Sequence, residues 1–343
     1  LAKQHLAKIE LGDLPAAAPK MAEERTLRDF LTGSYGDRLD TETKRADDTK
    51  KRILQAFESL LDTRLDRIDT AMIDRWRAAR IKSGVKPASV NRNTNDLKAM
   101  MNFALRRGLI NAHPMQTVKN LREESENRIR YLTQDEETRL RTALDARETT
   151  KRESRARGNA WRIERSQDAR ADLRIVAFVD YLKPAVLLSL NTGLRQGEVF
   201  KLTWASVNLD KGMVTVTAST AKSQKARHVP LNAEAKTVLK AWQKQGKGEG
   251  YVFPSREGGP LSEIKTAWLK LLRDAGINNF RWHDMRHHFA SRLVMAGVDL
   301  NTVRELLGHS DIKMTLRYAH LAPEHKAAAV ELLQRLVQPR PQG

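Results

Sequence analysis

The sequence predicts a mainly α-helical protein of two domains with one small antiparallel sheet, an α+β chain in which helices dominate. Three observations predict it. Apolar residues recur at three- and four-residue spacing over most of the chain, and a polar stretch holding a proline interrupts that pattern near residue 111. Only two short segments alternate apolar and polar residues with the period of a strand.

At 343 residues the chain is long enough for two domains with a sizeable core. Residues 1–21 are rich in Ala, Pro and Lys and read as an N-terminal linker, with no signal-peptide pattern. Without an initiator Met, the chain is expected to be a fragment of something longer.

Residues 22–113 read as an all-helical domain. A helix over 46–61 buries Ile53, Phe57 and Leu60 and exposes Lys50, Lys51 and Arg52. In "PASVNRNTNDLKAMMNFALRRGLI", Val90, Leu97, Met101 and Leu105 form an apolar stripe with Thr94 filling its gap, Pro87 in the first turn and Gly108 as a cap. Arg92, Lys98 and Arg106 lie outside that stripe. With Lys50, Lys51 and Arg52 they are the candidate DNA-backbone contacts, although a bundle with solvated basic residues fits the same pattern.

Residues 114–127 read as the interdomain linker and 128–343 as a second domain. "LTQDEETRLRTAL" opens that domain with Thr133 as N-cap and Glu136 completing a capping box. Residues 147–174 hold nine Lys/Arg and five Asp/Glu, the pattern of a solvated helix extension or loop. "IVAFVDYLKPAVLLSL" (175–190) reads as a buried core helix, too short and too interrupted by charge and proline to span a bilayer. "MVTVT" (213–217) and "RHVPL" (227–231) read as strands joined by a turn. From 262 to about 337 the pattern is helical, ending in a tail helix over 324–337.

Charge is the outlying compositional feature: Lys+Arg 61 against Asp+Glu 42, a net of +19. That balance favours a polyanionic partner, DNA or RNA. The absence of cysteine excludes disulfide scaffolds, thiolate nucleophiles and cysteine zinc sites.

Several local patterns bear chemistry. Arg195 follows a Thr-Gly turn in "NTGLRQGEVFKL" and opens a helix with Glu198, a place where a guanidinium and backbone N–H groups can meet one phosphate. Lys222 sits at the tip of the 213–231 hairpin. "HDMRHHFASRL" sets His283 and Arg286 at i, i+3 on one helical face. His283 and His287 have the i, i+4 spacing of a zinc pair, but Asp284 stands where a catalytic glutamate belongs and no third ligand offers itself, so no metal is expected. His309 lies in the turn of "LLGHS", and Tyr318 follows nine residues later among polar neighbours.

Taken in order, Arg195, Lys222, His283, Arg286, His309 and Tyr318 resemble the catalytic signature of the tyrosine recombinases, the phage integrase family. The matching text is "TGLRQGE", "AKSQKARHVPL", "HDMRHHFAS" and "LLGHSDIKMTLRYAHL", within 128–335; the helical segment before it resembles the family's core-binding domain by architecture. His288 departs from the pattern, standing where many members have a threonine, and the 147–174 stretch is longer than the usual connection. The N-terminal arm-binding domain that some integrases have is expected to be missing from this fragment.

The resemblance implies site-specific recombination through a 3′-phosphotyrosyl intermediate. Tyr318 would attack the scissile phosphate, His283 would serve as acid/base partner of the phenol, and Lys222 would protonate the leaving 5′ oxygen. Arg195, Arg286 and His309 would hold the non-bridging oxygens, with Glu198 orienting a cation. Ionising a free phenol at pH 7 costs about 4 kcal/mol, so a base or an anion-stabilising site is required. The resemblance further implies double-stranded DNA attachment sites as partner, a homotetramer on DNA, accessory DNA-bending proteins and a cytoplasmic, nucleoid-associated setting. No metal, cofactor or ATP is expected. The competing readings are a type IB topoisomerase-like relaxing enzyme and a DNA-binding protein without catalysis.

Overall fold

Thr26 caps the first described helix by exchanging hydrogen bonds with Asp29 in a capping box. The computed structural model describes residues 26–122, 129–217, 226–246 and 248–322. The N-terminal linker, part of the interdomain linker, Lys222 and the expected tail helix over 324–337 lie outside the described residues. The chain divides into two units, Leu1–Glu126 and Asn127–Gly343.

In the first unit, helices α1 (Leu27–Thr32), α2 (Ser34–Glu42), α3 (Ala46–Ala56), α4 (Thr70–Lys82) and α5 (Pro87–Arg106) enclose one apolar core. Ile53, Phe57 and Leu60 are buried as expected, but α3 ends at Ala56, and Leu60 reaches the core from a following 3-10 turn. Phe57 stacks on Trp76 with ring centroids 4.2 Å apart. Along α5, Pro87 occupies the first turn and Val90, Thr94, Leu97 and Met101 are buried. Leu105 is a correction: it is exposed, and the stripe shifts to Met100 and Ala104.

The second unit opens with α6 (Gln134–Glu164), capped by Thr133 and Glu136 as the sequence predicts. Only its first half meets the core, through Leu140, Ala143 and Leu144. Beyond Glu148 the charged extension is held by its own arginines: Arg152, Arg155 and Arg162 donate to the carbonyls of Leu173, Ala171 and Asp168 on the returning segment. The expected buried helix over 175–190 starts later, as α7 (Leu182–Thr192), with Ile175 exposed to solvent. At the new start the Asp180 carboxylate, two residues back, accepts from the backbone N–H of Leu182 at 3.0 Å.

Next come α8 (Gln196–Phe200) and a three-stranded antiparallel sheet, β1 (Val207–Asn208), β2 (Met213–Val216) and β3 (Arg227–Pro230), in that spatial order. The register pairs Val214 with Val229, both on the core face. β1 is too short for its alternation to register in the sequence. Helices α9 (Ala233–Gln245), α10 (Lys265–Asp274), α11 (Asp284–Met295), α12 (Leu300–Leu307) and α13 (Lys313–Leu316) complete the unit. Ala290 and Val294 of α11 meet Val303 and Leu307 of α12 in a small separate cluster, and Tyr318 packs into it. Among the described residues no helix is long and apolar enough to cross a membrane.

Candidate active site

Two glycines with left-handed backbone bring the signature residues together. Gly193 ends α7 with φ 61°, and Gly308 ends α12 with φ 65°. A Cβ on Gly193 would lie 2.4 Å from Phe289, and one on Gly308 would lie 2.7 Å from Cδ of Arg227. Both positions therefore need glycine twice over, for backbone hand and for space.

Arg286 uses those two helix ends. Its guanidinium donates to the Gly193 carbonyl at 2.9 Å and to the Leu307 carbonyl at 2.5 Å. Carbonyls at helix C-termini hold partial negative charge, which offsets the cost of burying this cation. Burial and the neighbouring Arg195 push the Arg286 pKa down to about 9, still far enough above neutrality to keep it charged. His283 is the N-cap of α11 and its carbonyl accepts from the Arg286 N–H at 3.1 Å, so the i, i+3 pair stands at the helix start with His283 exposed and Arg286 buried.

Arg195 stands at the start of α8, where the Glu198 carboxylate accepts from its backbone N–H at 2.8 Å and its guanidinium at 3.0 Å. Arg227 reaches across from β3 and donates to both oxygens of the same carboxylate at 2.6 and 3.0 Å. Burial alone would raise the pKa of Glu198, but Arg227 and Arg195 hold it below the ordinary carboxylate range. Arg227 also donates to the Leu306 carbonyl at 3.0 Å, so one side chain ties strand β3 to α8 and α12.

His309 follows Gly308, is buried, and meets the Thr315 hydroxyl at 2.9 Å through Nδ1. Burial first and Arg286 second push its pKa down to about 3, so it is neutral. Its neighbours on the chain lead to Tyr318, whose surroundings differ from its sequence context. Tyr318 is 1% exposed, among the largest fully buried side chains, despite its polar sequence neighbours. Apolar partners from α11 and α12, distant in sequence, supply its surroundings. The phenolic oxygen lies 2.7 Å from Nδ1 of His287, which sequence reasoning does not single out for the phenol. His283 instead packs edge-on against His287, with ring centroids 5.2 Å apart. Burial raises the phenol's pKa, against the opposing pull of Arg286 and Arg317.

Arg195, Arg286, His283, His287, His309 and Tyr318 all line one cavity of about 360 Å³, with Arg317 beside them. A cavity of about 780 Å³ between α6 and α10 is larger but holds none of the signature residues. Chemistry, not size, picks the site. With arginines on its walls and the Glu198 carboxylate already committed to Arg195 and Arg227, the smaller cavity suits an anion with several oxygens. Lys222 lies outside the described residues. Among the described residues no cluster of three or more His, Cys, Asp or Glu side chains is arranged to hold a metal ion.

Sequence reasoning missed Arg227, His287, Thr315 and Arg317. A weak signal existed for His287, the i, i+4 spacing weighed as a zinc pair; none existed for Thr315. The candidate DNA contacts of the first unit divide by environment. Lys50 is paired with Asp40 and Arg52 with Asp96, each at 2.6 Å. Lys51, Arg92 and Arg106 are exposed, and Lys98 is half-buried.

The phage integrase family model matches residues 169–325, and the model of the phage integrase N-terminal domain matches 23–122. Tyrosine recombinase XerC of Xanthomonas campestris pv. campestris (strain B100) is 30% identical over 266 residues, covering 76% of this chain and 72% of that protein. The integrase of Salmonella phage P22 is 37% identical over 157 residues, 42% of this chain and 40% of its own. Among solved structures, the Tn1549 transposon integrase in complex with circular intermediate DNA superposes with TM-score 0.66 at 19% identity, covering 91% of this chain and all of that one. A lambda integrase dimer bound to a core site gives TM-score 0.64 at 20% identity, covering 85% and 95%.

Proposed function

We infer that this chain, which belongs to the phage integrase family of tyrosine recombinases and is a site-specific DNA recombinase, breaks and rejoins DNA with Tyr318 as its nucleophile. The observation that carries the assignment is the convergence of a phenol, two arginines and three histidines on one cavity, from segments far apart in sequence. Tyr318 attacks the scissile phosphorus, its oxygen bonds to the 3′ phosphate, and the bond to the 5′ oxygen breaks. Arg195 and Arg286 hold the non-bridging oxygens where negative charge grows in the transition state. Neutral His309, oriented by Thr315, and His283 at the cavity add hydrogen bonds to the same oxygens.

Lys222 is assigned the proton donated to the leaving 5′ oxygen, on its place in the motif. Because the phosphotyrosyl ester keeps the energy of the broken bond, a 5′-hydroxyl from another strand reverses the step without ATP. Exchange between two duplexes takes four protomers on DNA, and a lambda integrase tetramer bound to a Holliday junction offers a precedent in a protein of the same fold. Lys51, Arg92, Lys98 and Arg106 are proposed to contact the DNA backbone, in a cytoplasmic, nucleoid-associated setting.

The test is incubation with nicked duplex made from the host element's junction, in EDTA. A covalent protein–DNA adduct that forms in the wild type and is absent in Tyr318→Phe is the expected result. An adduct that persists in the phenylalanine variant removes Tyr318 from the role.

A further inference from the structure

We propose that His287 is a catalytic residue on the nucleophile side of the reaction, accepting the Tyr318 proton as the phenol attacks and returning it when the ester is resolved. The inference rests on Tyr318 being the nucleophile, and the geometry supplies the rest. Tyr318 is almost wholly enclosed, so its hydroxyl needs a partner inside the protein. Among the described residues the partner at hydrogen-bond distance is Nδ1 of His287, 2.7 Å away. The two rings are tilted at 46° with centroids 5.9 Å apart, which leaves the phenol edge open to the cavity while its oxygen faces the imidazole.

His283, the family-pattern candidate for the same work, is one helical turn away and makes its ring contact with His287 rather than with the phenol. It is exposed, whereas His287 is half-buried and Tyr318 buried. A base for a buried hydroxyl has to sit within hydrogen-bond reach of it, and His287 does.

The proton count is simple. The phenolic O–H bond breaks as the O–P bond forms, and His287 becomes an imidazolium; the P–O bond to the 5′ carbon's oxygen breaks, and that oxygen takes a proton from a separate donor, the role assigned to Lys222 from the motif. On rejoining, each proton travels back. The surroundings gate the step. His283, Asp284 and Arg286 face His287 from its own segment, His309 from the turn after α12, and Arg317 from the segment after α13. Burial and these mostly cationic neighbours push the His287 pKa down to about 4, so it enters the reaction neutral and able to accept. A phosphodiester seated between Arg195 and Arg286 brings the missing negative charge, which eases imidazolium formation only when DNA is in place.

The experiment compares wild type, His287→Ala and His287→Asn in single-turnover cleavage of two nicked duplexes, one ordinary and one with sulfur replacing the bridging 5′ oxygen. A thiolate leaves without a proton, so the sulfur substrate isolates the nucleophile side. Both variants are expected to cleave both substrates roughly 100-fold more slowly at neutral pH, the size of a general-base contribution, with the gap narrowing as rising pH ionises the phenol unaided. Asn keeps a polar partner for the hydroxyl but cannot take its proton, and its similar volume carries the test if the alanine variant unfolds. Wild-type rates in His287→Asn, rescue of either variant by the sulfur substrate, or a gap that stays constant with pH each overturn the proposal. If wild type makes no Tyr318-dependent adduct, it is the nucleophile assignment that fails instead.

Discussion

Arg227 closes a two-pronged ion pair on Glu198, at 2.6 and 3.0 Å, and in doing so holds the carboxylate that positions Arg195. Glu198 is 4% exposed, so deleting either partner strands a charge inside the protein. Glu198→Ala is expected to lower the unfolding free energy by about 3 kcal/mol, read from urea denaturation. Arg227→Lys keeps the charge but loses the fork, and is expected to cost less stability while still slowing adduct formation, because Arg195 loses its fixed neighbour. A Glu198→Ala variant as stable as wild type contradicts this account.

Gly193 joins backbone hand, packing and charge at one residue. Alanine there meets a left-handed φ of 61°, a contact of 2.4 Å with Phe289, and the duty of presenting its carbonyl to Arg286. The strained backbone alone costs roughly 1–2 kcal/mol, and the clash adds to it. Gly193→Ala is expected to lower Tm and slow adduct formation together, whereas Gly197→Ala, where a Cβ meets nothing within 4 Å, leaves both nearly unchanged.

What the sequence could and could not reveal divides along physical lines. Thr133 with Glu136, and Pro87, act within one helical turn, so their spacing alone identifies them. Residue types such as Arg195, Arg286 and His309 are legible as a signature because the order of chemistry-bearing residues survives in the text. Direction is not legible. The choice between His283 and His287 for the phenol depends on how α11 is rotated toward a tyrosine 31 residues beyond His287, and on where His283 leaves the helix. The burial of Tyr318 is set by Ala290, Val294 and Leu307, none of them its sequence neighbours. Arg227 reads as one more basic hairpin residue until the fold brings β3 to Glu198.

Glu137 predicts the acid limb of stability. His288 first, at 3.4 Å, and Arg141 next hold its pKa down to about 2, from an ordinary 4.5, against the cost of burial. A lowered carboxyl pKa stabilises the fold fully above the unfolded value, and that contribution disappears as pH falls from about 4.5 toward 2. Its size is on the order of 2 kcal/mol once solvent screening of a partly covered group is allowed for. Unfolding free energy measured against pH is expected to drop over this window in wild type and to flatten in Glu137→Gln. Parallel curves refute the assignment. The same pair gives His288 a structural use, since its Nδ1 accepts from the backbone N–H of Leu132 at 3.2 Å, fastening α11 to the entry of α6.

The first unit's basic residues make a separable prediction about DNA. A cation already paired with a carboxylate neutralises a phosphate only by giving up that partner, so it contributes little counterion release. Lys50 and Arg52 are in that position, bonded to Asp40 and Asp96. Lys51, Arg92 and Arg106 are exposed and have their charge to offer. Binding of duplex DNA, followed by fluorescence anisotropy across a salt series, is expected to weaken steeply with salt. Glutamine at Lys51, Arg92 or Arg106 is expected to reduce the slope of log K against log salt by up to about 0.9 for each phosphate left without its cation. Glutamine at Arg52 is expected to leave the slope nearly unchanged and instead lower stability, because Asp96 loses a partner that is three-quarters shielded from solvent. Equal slope changes at Arg52 and Arg92 would mean that DNA breaks the Arg52–Asp96 pair, and that the basic face is assembled only on binding.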